Sequence, residues 1–236
     1  PMLEGGYESF VGQFPMPMRH SMTVAELARL FNEHHNIGAE LEIVPMEGWS
    51  RDMYWDDTGL FWVIPSPNMP TLDTAIVYPG TVLFEGTMLS EGRGTTRPFE
   101  LIGAPWLDGE QLAARMNGIG LKGVHFRAAM FEPTFQKHAR ATCSGCQIHV
   151  TSRQEFEPVK VGVSLMRECY GLGRDRFKWR DPPYEYEHDK MPIDILAGSP
   201  TLRNQIERQA PLEEIAQSWR PGVAEFAQVM RPYLLY

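Results

Sequence analysis

The sequence predicts an α/β domain of the α+β type, a mixed β-sheet flanked by helices with a helical C-terminal third. Three observations predict it. Val24, Leu27, Leu30 and Phe31 recur at helical spacing behind Thr23. Two short β-prone runs, Val124–Arg127 and Gln147–Thr151, stand between polar turns. From Ser199 onward apolar residues again follow a helical period.

In chain order, residues 1–18 are irregular and rich in Gly, Pro and Met. Thr23 with Glu26 forms a capping-box pair that starts the first helix, and Gly38 stops it. Leu41–Val44 reads as a short strand closed by Pro45. Residues 46–74 crowd aromatic, acidic and proline residues together, and Pro65, Pro67 and Pro70 forbid a continuous helix or central strand there. A short helix is expected over Thr71–Val77, broken or bent by Tyr78-Pro79-Gly80. Gly103–Trp106 turns the chain, and Asp108 caps a helix through Met116. Pro158–Tyr170 is expected to be helical, Asp181–Asp189 to be a polar loop, and the C-terminal third to hold helices over Thr201–Gln209, Leu212–Ser218 and Val223–Met230.

Composition narrows the function. With 236 residues, 43% hydrophobic and 22% charged, the chain can bury a substantial core. Thirty acidic against twenty-two basic residues give a net charge of −8, which argues against nucleic acid as the main partner. No apolar run approaches the ~20 residues of a membrane span. Three cysteines make no disulfide framework.

Chemistry concentrates in Phe84–Phe99, where two carboxylates, two guanidiniums and three glycines lie between apolar flanks. Polar, glycine-punctuated loops on apolar scaffolds are where binding and catalysis gather. Glu85 and Glu91 have the residue types of the carboxylate pair that glycoside hydrolysis uses. In a straight strand they would stand ~20 Å apart, and on a helix ~9 Å apart on different faces, so only a turn brings them together. From spacing alone, the favoured reading is that one or both are solvated or paired with Arg93 or Arg97. Gly92-Arg93-Gly94-Thr95-Thr96 suits either an anion cradle or a plain turn. Trp49, Trp55, Trp62 and Trp106 offer flat faces for sugar stacking or for core packing, with Trp55 and Trp62 the better placed. His20, ahead of a capped helix, suits an anion or a buried structural role. Cys143-x-x-Cys146 lacks the second pair that a zinc site wants and precedes strand residues rather than opening a helix, so metal and redox readings rank low.

Several motifs occur together and in order. They are Pro17–Thr23, Trp55–Leu60, Pro65–Pro70, Tyr78–Thr81, Glu85-Gly86-Thr87, Ser90–Thr95, Pro98–Glu100 and Gly103–Trp106. With them the chain resembles the YbbC/NamZ-type exo-β-N-acetylmuramidases, a glycoside hydrolase family, over nearly its whole length. The resemblance implies release of a terminal N-acetylmuramic acid from the non-reducing end of peptidoglycan-derived glycans, outside the cytoplasm (secreted or periplasmic). It implies a cleft shared with a Rossmann-like domain that precedes this chain, so that residues 1–236 are expected to be the single C-terminal domain of a longer two-domain glycosidase. It puts forward Glu85 and Glu91 as catalytic, and Arg19, His20, Arg51, Trp55, Trp62, Asn68, Arg93 and Thr95 as substrate-binding. No metal and no cofactor is expected. Met88 departs from the family, which commonly has Asn there.

The lactyl carboxylate of muramic acid calls for fixed positive charge, and Arg93, Arg19 and Arg51 are available for it. Two rival readings stand beside the glycosidase. One is a non-catalytic half that binds muramyl glycan or docks to a partner; the weaker is a zinc or thiol-redox protein.

Overall fold

The computed structural model describes residues 1–236. Its helices are α1 (Val24–His34), α2 (Leu72–Thr81), α3 (Gly109–Gly118), α4 (Pro158–Gly173), α5 (Pro192–Ala197), α6 (Thr201–Glu207) and α7 (Leu212–Met230). Strands β1 (Leu101–Ala104), β2 (Val124–Phe131) and β3 (Cys143–Val150) form one antiparallel sheet in the order β1–β3–β2. Leu101 stands opposite Gln147 and Phe126 opposite Ile148. The sheet is therefore wholly antiparallel, and helices supply most of the regular structure.

Local chemistry explains α1. Thr23 Oγ1 accepts the Glu26 N–H at 3.3 Å, and the Glu26 carboxylate accepts the Thr23 N–H at 2.7 Å. Leu30 then packs with Met22 and with Phe226 of α7 in a small separate core. The main core joins α2, α3, α4, α5, α6 and the sheet through Leu83, Phe84, Phe99, Ile102, Met166 and Ile193, all essentially buried.

Gly103 and Ala104, expected to turn the chain, end strand β1 instead, and α1 stops at His34 ahead of Gly38. Three further expectations need correction. Leu41–Val44 forms no strand: it has no neighbour to pair with, and Val44 is 85% exposed. Helix α2 runs on through Pro79 to Thr81, because only one intrahelical bond is lost and the helix is held by packing. That packing is a backbone contact with α4: a Cβ on Gly80 would stand 1.8 Å from the Pro158 carbonyl oxygen. Helix α7 likewise carries Pro221 inside a single helix, where the sequence suggested two.

Residues 36–70 hold no helix or strand beyond one 3₁₀ turn, Trp55–Thr58. Ile37, Val44, Leu60, Phe61, Val63 and Ile64 on this arm all face solvent, Phe61 at 92%.

Candidate active site

Helix α2 passes directly into a 3₁₀ turn, Val82–Gly86, that delivers Glu85 to the surface. Gly86 allows α5 to close on this turn, since a Cβ there would fall 2.6 Å from the Ile193 Cα. The following residues are stitched on both sides. Met88 N–H donates to the Lys178 carbonyl and Arg180 N–H to the Gly86 carbonyl, both at 2.9 Å. Ser90 pairs with Gly103 of β1 through two bonds of 2.8 and 3.0 Å. The chain reverses between Glu85 and Glu91, so residues that a straight element would separate face one another.

Arg93 joins them. Its Nη2 lies 2.5 Å from Glu85 Oε1 and its Nε 3.3 Å from Glu91 Oε1. The Tyr184 hydroxyl donates to the other Glu85 oxygen at 2.8 Å. Lys137 Nζ holds the other Glu91 oxygen at 2.8 Å and also donates to the carbonyls of Phe84 (2.8 Å) and Leu89 (3.1 Å). The two carboxylates are thus unequal: the Glu91 side chain is 3% exposed, whereas that of Glu85 is 13% exposed.

Electrostatics follow from this burial. Burial alone would pull the Arg93 guanidinium down, but hydrogen bonding and charge from Glu85, with the charge of Glu91, hold it above its ordinary value. Burial keeps the Lys137 ammonium below its ordinary value despite Glu91. The Tyr184 phenol is pushed far up by burial and then by the Glu85 charge, so it remains a proton donor to that carboxylate.

Two clefts meet here. One, of about 510 Å³, is lined by Glu85, Glu91, Arg93, Lys137, Arg180 and Tyr184, and also by Glu185 and His188. The other, of about 480 Å³, is more apolar and is lined by Met16, His20, Tyr78, Val82 and Ile195 among others. Glu85, Arg93, Tyr184 and Glu185 border both. Each volume lies within the ~300–1,000 Å³ of small-molecule sites. A carboxylate held by two donors at the junction of two clefts can act on a bond that spans them.

The remaining residues picked from sequence lie as follows. His20 lines the apolar cleft, where its Nδ1 accepts the Met22 N–H at 3.1 Å and burial lowers its pKa. Thr95 closes the Gly92–Arg97 turn: its hydroxyl donates to the Gly92 carbonyl at 2.6 Å and accepts the Arg97 N–H at 3.1 Å. Gly92 N–H is taken by Ser90 Oγ at 3.1 Å, so this segment behaves as a turn rather than as an open anion cradle. Arg51 is paired with buried Glu26 at 2.6 Å and with the Tyr236 carbonyl at 3.0 Å. Arg19 and Trp55 border a different cleft of about 270 Å³, beside Tyr54 and Pro79. Trp62 packs edge-to-face on Trp55 with ring centres 6.0 Å apart. Asn68 is half-buried in the proline-rich arm and borders neither cleft at Glu85.

Cys143, Cys146 and Cys169 are free and buried. Burial pushes the Cys143 thiol to about 11 and that of Cys146 to about 12, the reverse of a reactive cysteine. No cluster of three His, Cys, Asp or Glu side chains has metal-binding geometry.

Sequence reasoning missed Lys137, Tyr184 and Arg180. Tyr184 occupies the expected polar loop, in a two-residue reversal whose central residues Glu185 and Tyr186 both take positive φ. Lys137 stands between Gln136 and His138, both also at positive φ. No period or motif marks such a segment, although Pro182-Pro183-Tyr184 does mark a stiff loop with a polar aromatic tip.

Comparison with known proteins completes the picture. A family model for the exo-beta-N-acetylmuramidase NamZ C-terminal region matches residues 76–236, and one for the N-terminal region matches residues 1–73. The peptidoglycan beta-N-acetylmuramidase NamZ of Bacillus subtilis (strain 168) is 44% identical over 236 residues, which is 100% of this chain and 55% of that protein. The chain therefore spans about half the length of this curated relative. A crystal structure of a DUF1343 family protein from Bacteroides fragilis NCTC 9343 superimposes with a TM-score of 0.87 at 28% identity, covering 100% of this chain and 61% of the other. A second DUF1343 protein from the same organism has the same fold, with a TM-score of 0.73 at 24% identity and the same coverage. The chain belongs to the exo-β-N-acetylmuramidase NamZ family.

Proposed function

We propose that this chain carries the catalytic carboxylate of a glycosidase that releases terminal N-acetylmuramic acid from peptidoglycan fragments. The observation that carries the reading is the junction at Glu85, where Arg93 ties Glu85 to Glu91 between two clefts in a NamZ-family chain. Glu85 is the carboxylate that meets the sugar, because it is the more exposed of the two and borders both clefts. Glu91, the more buried of the two and bound to two cations, holds Arg93 and Lys137 in place. Glu85→Gln should abolish hydrolysis of a chromogenic muramic acid glycoside, assayed with the chain joined to a complete N-terminal region. A Glu85→Gln protein with wild-type turnover would sink the assignment.

The same reading includes a docking face. Val44, Phe61 and Val63 are exposed on an arm without regular structure, inside the stretch that the N-terminal family model matches. Several large apolar side chains left exposed along one arm fit an interaction surface. We assign them to contact with further N-terminal sequence of the Rossmann-like kind. Binding of a hydrophobic dye by the 236-residue chain, suppressed when that region is supplied, supports this; unchanged dye binding refutes it. Binding of muramyl glycan without turnover, even with the region supplied, would favour a purely recognitive role.

A further inference from the structure

We infer that Arg180 is the carboxylate-binding residue of the polar cleft, holding the lactyl carboxylate of a muramic acid residue beside Glu85. This rests on the glycosidase reading above and adds to it a recognition element.

Besides His188, three side chains with permanent positive charge line the cleft alongside Glu85 and Glu91: Arg93, Lys137 and Arg180. Arg93 is spent on Glu85 and Glu91, and Lys137 on Glu91 and two backbone carbonyls. Arg180 forms no ion pair and no side-chain hydrogen bond, and it is half-buried. A half-buried guanidinium with no carboxylate partner is free to take an incoming carboxylate through charge-assisted bonds.

The backbone fixes where that charge sits. Arg180 N–H donates to the carbonyl of Gly86, the residue after Glu85, and Trp179 bridges to Thr87. The Arg180 guanidinium lies 5.2 Å from the ring centre of Tyr184, whose hydroxyl holds Glu85. Its position is thus coupled to the carboxylate that meets the sugar. Its charge is felt in the cleft, since it is among the groups that lower Lys137, after burial itself. An arginine at such a place presents two parallel N–H donors to a planar carboxylate, which a lysine does not. The arginines put forward from sequence are engaged elsewhere: Arg51 clamps Glu26, and Arg19 borders another cleft. Glu185 is the other charge at the cleft without an ion pair, and it stands at the tip of the Tyr184–Glu187 reversal.

The test is calorimetric titration of the 236-residue chain with the methyl glycoside of N-acetylmuramic acid and with its lactyl methyl ester. Wild type should prefer the acid by about 10–100-fold, the effect of a hydrogen-bonded charge pair. Arg180→Ala should bind acid and ester alike, with an unchanged melting temperature; Arg180→Lys should keep part of the preference. Glu185→Gln should keep or raise it. Equal binding of acid and ester by wild type, no binding of either, or a preference that survives Arg180→Ala overturns the inference. Loss of the preference in Glu185→Gln also overturns it. Hydrolysis separates this from the glycosidase reading. A protein that cleaves acid and ester glycosides equally well keeps the activity and loses the Arg180 role. One that prefers the acid but cleaves nothing does the reverse.

Discussion

Replacing Lys137 by Met should be among the most damaging single changes near the cleft. Its ammonium makes three bonds, to Glu91 Oε2 (2.8 Å), the Phe84 carbonyl (2.8 Å) and the Leu89 carbonyl (3.1 Å). Methionine fills similar space but donates nothing, so Glu91 would be left 3% exposed with only Arg93 Nε at 3.3 Å. Removing one partner of a buried pair costs about 3–5 kcal/mol when the other charge is left unpaired, and the surviving Arg93 contact puts the loss near the lower end, about 3 kcal/mol. In a chain of this size each kcal/mol lowers the melting temperature by about 2–4 °C, so the drop should be about 6–12 °C. Most of that cost belongs to the stranded carboxylate, so Glu91→Gln combined with Lys137→Met should recover part of it. Thermal unfolding of the wild type, both single variants and the double variant measures the coupling. A Lys137→Met loss under about 1 kcal/mol, or a double variant no more stable than Lys137→Met, would refute this account of Glu91.

Two further outcomes follow from named contacts. Glu26 is buried, and although burial itself pushes its carboxyl up, the Arg51 hydrogen bonds and backbone donors outweigh that and bring it from 4.5 to about 2. A carboxylate depressed in the folded state contributes its stabilisation, about 3 kcal/mol, fully above pH 4.5 and loses it as pH falls towards 2. Acid unfolding of Glu26→Gln should therefore show a flatter stability profile between those values, and an unchanged slope would remove Glu26 as its source. Tyr184→Phe deletes the 2.8 Å bond to Glu85 and leaves the aromatic packing in place. On the proposed function, kcat/KM on a muramic acid glycoside, assayed with the chain joined to a complete N-terminal region, should fall about tenfold or more, with a displaced pH–rate profile. A wild-type profile would leave Tyr184 as mere packing.

Local chemistry was legible from the sequence wherever it decides structure locally. Thr23 with Glu26 predicted the start of α1, Asp108 that of α3, and Pro158 that of α4. Composition marks the loop Phe84–Phe99, but spacing leaves its carboxylates solvated or paired with Arg93 or Arg97, and only the fold selects Arg93 for both. Leu41–Val44 shows the limit of such reasoning, since β-prone residues make a strand only when another strand is there to pair with them. Pro79 and Pro221 show it too. Both are helix breakers by intrinsic preference, yet α2 and α7 continue through them, α2 with its backbone packed against α4.

What the sequence alone determined was the class of fold, the capped helices and one chemically loaded loop. Tertiary structure decided how that loop is used. Lys137 reaches Glu91 from 46 residues away and Tyr184 reaches Glu85 from 99. Their backbones turn through positive-φ segments that no periodicity announces. Glu85 and Glu91 differ in burial and in which distant side chains hold them, and that inequality makes one a candidate catalyst and the other its support. Capping and helical spacing act within a few residues and can be read in order along a chain. Burial and ion pairing act through space, and they exist only once the chain has folded.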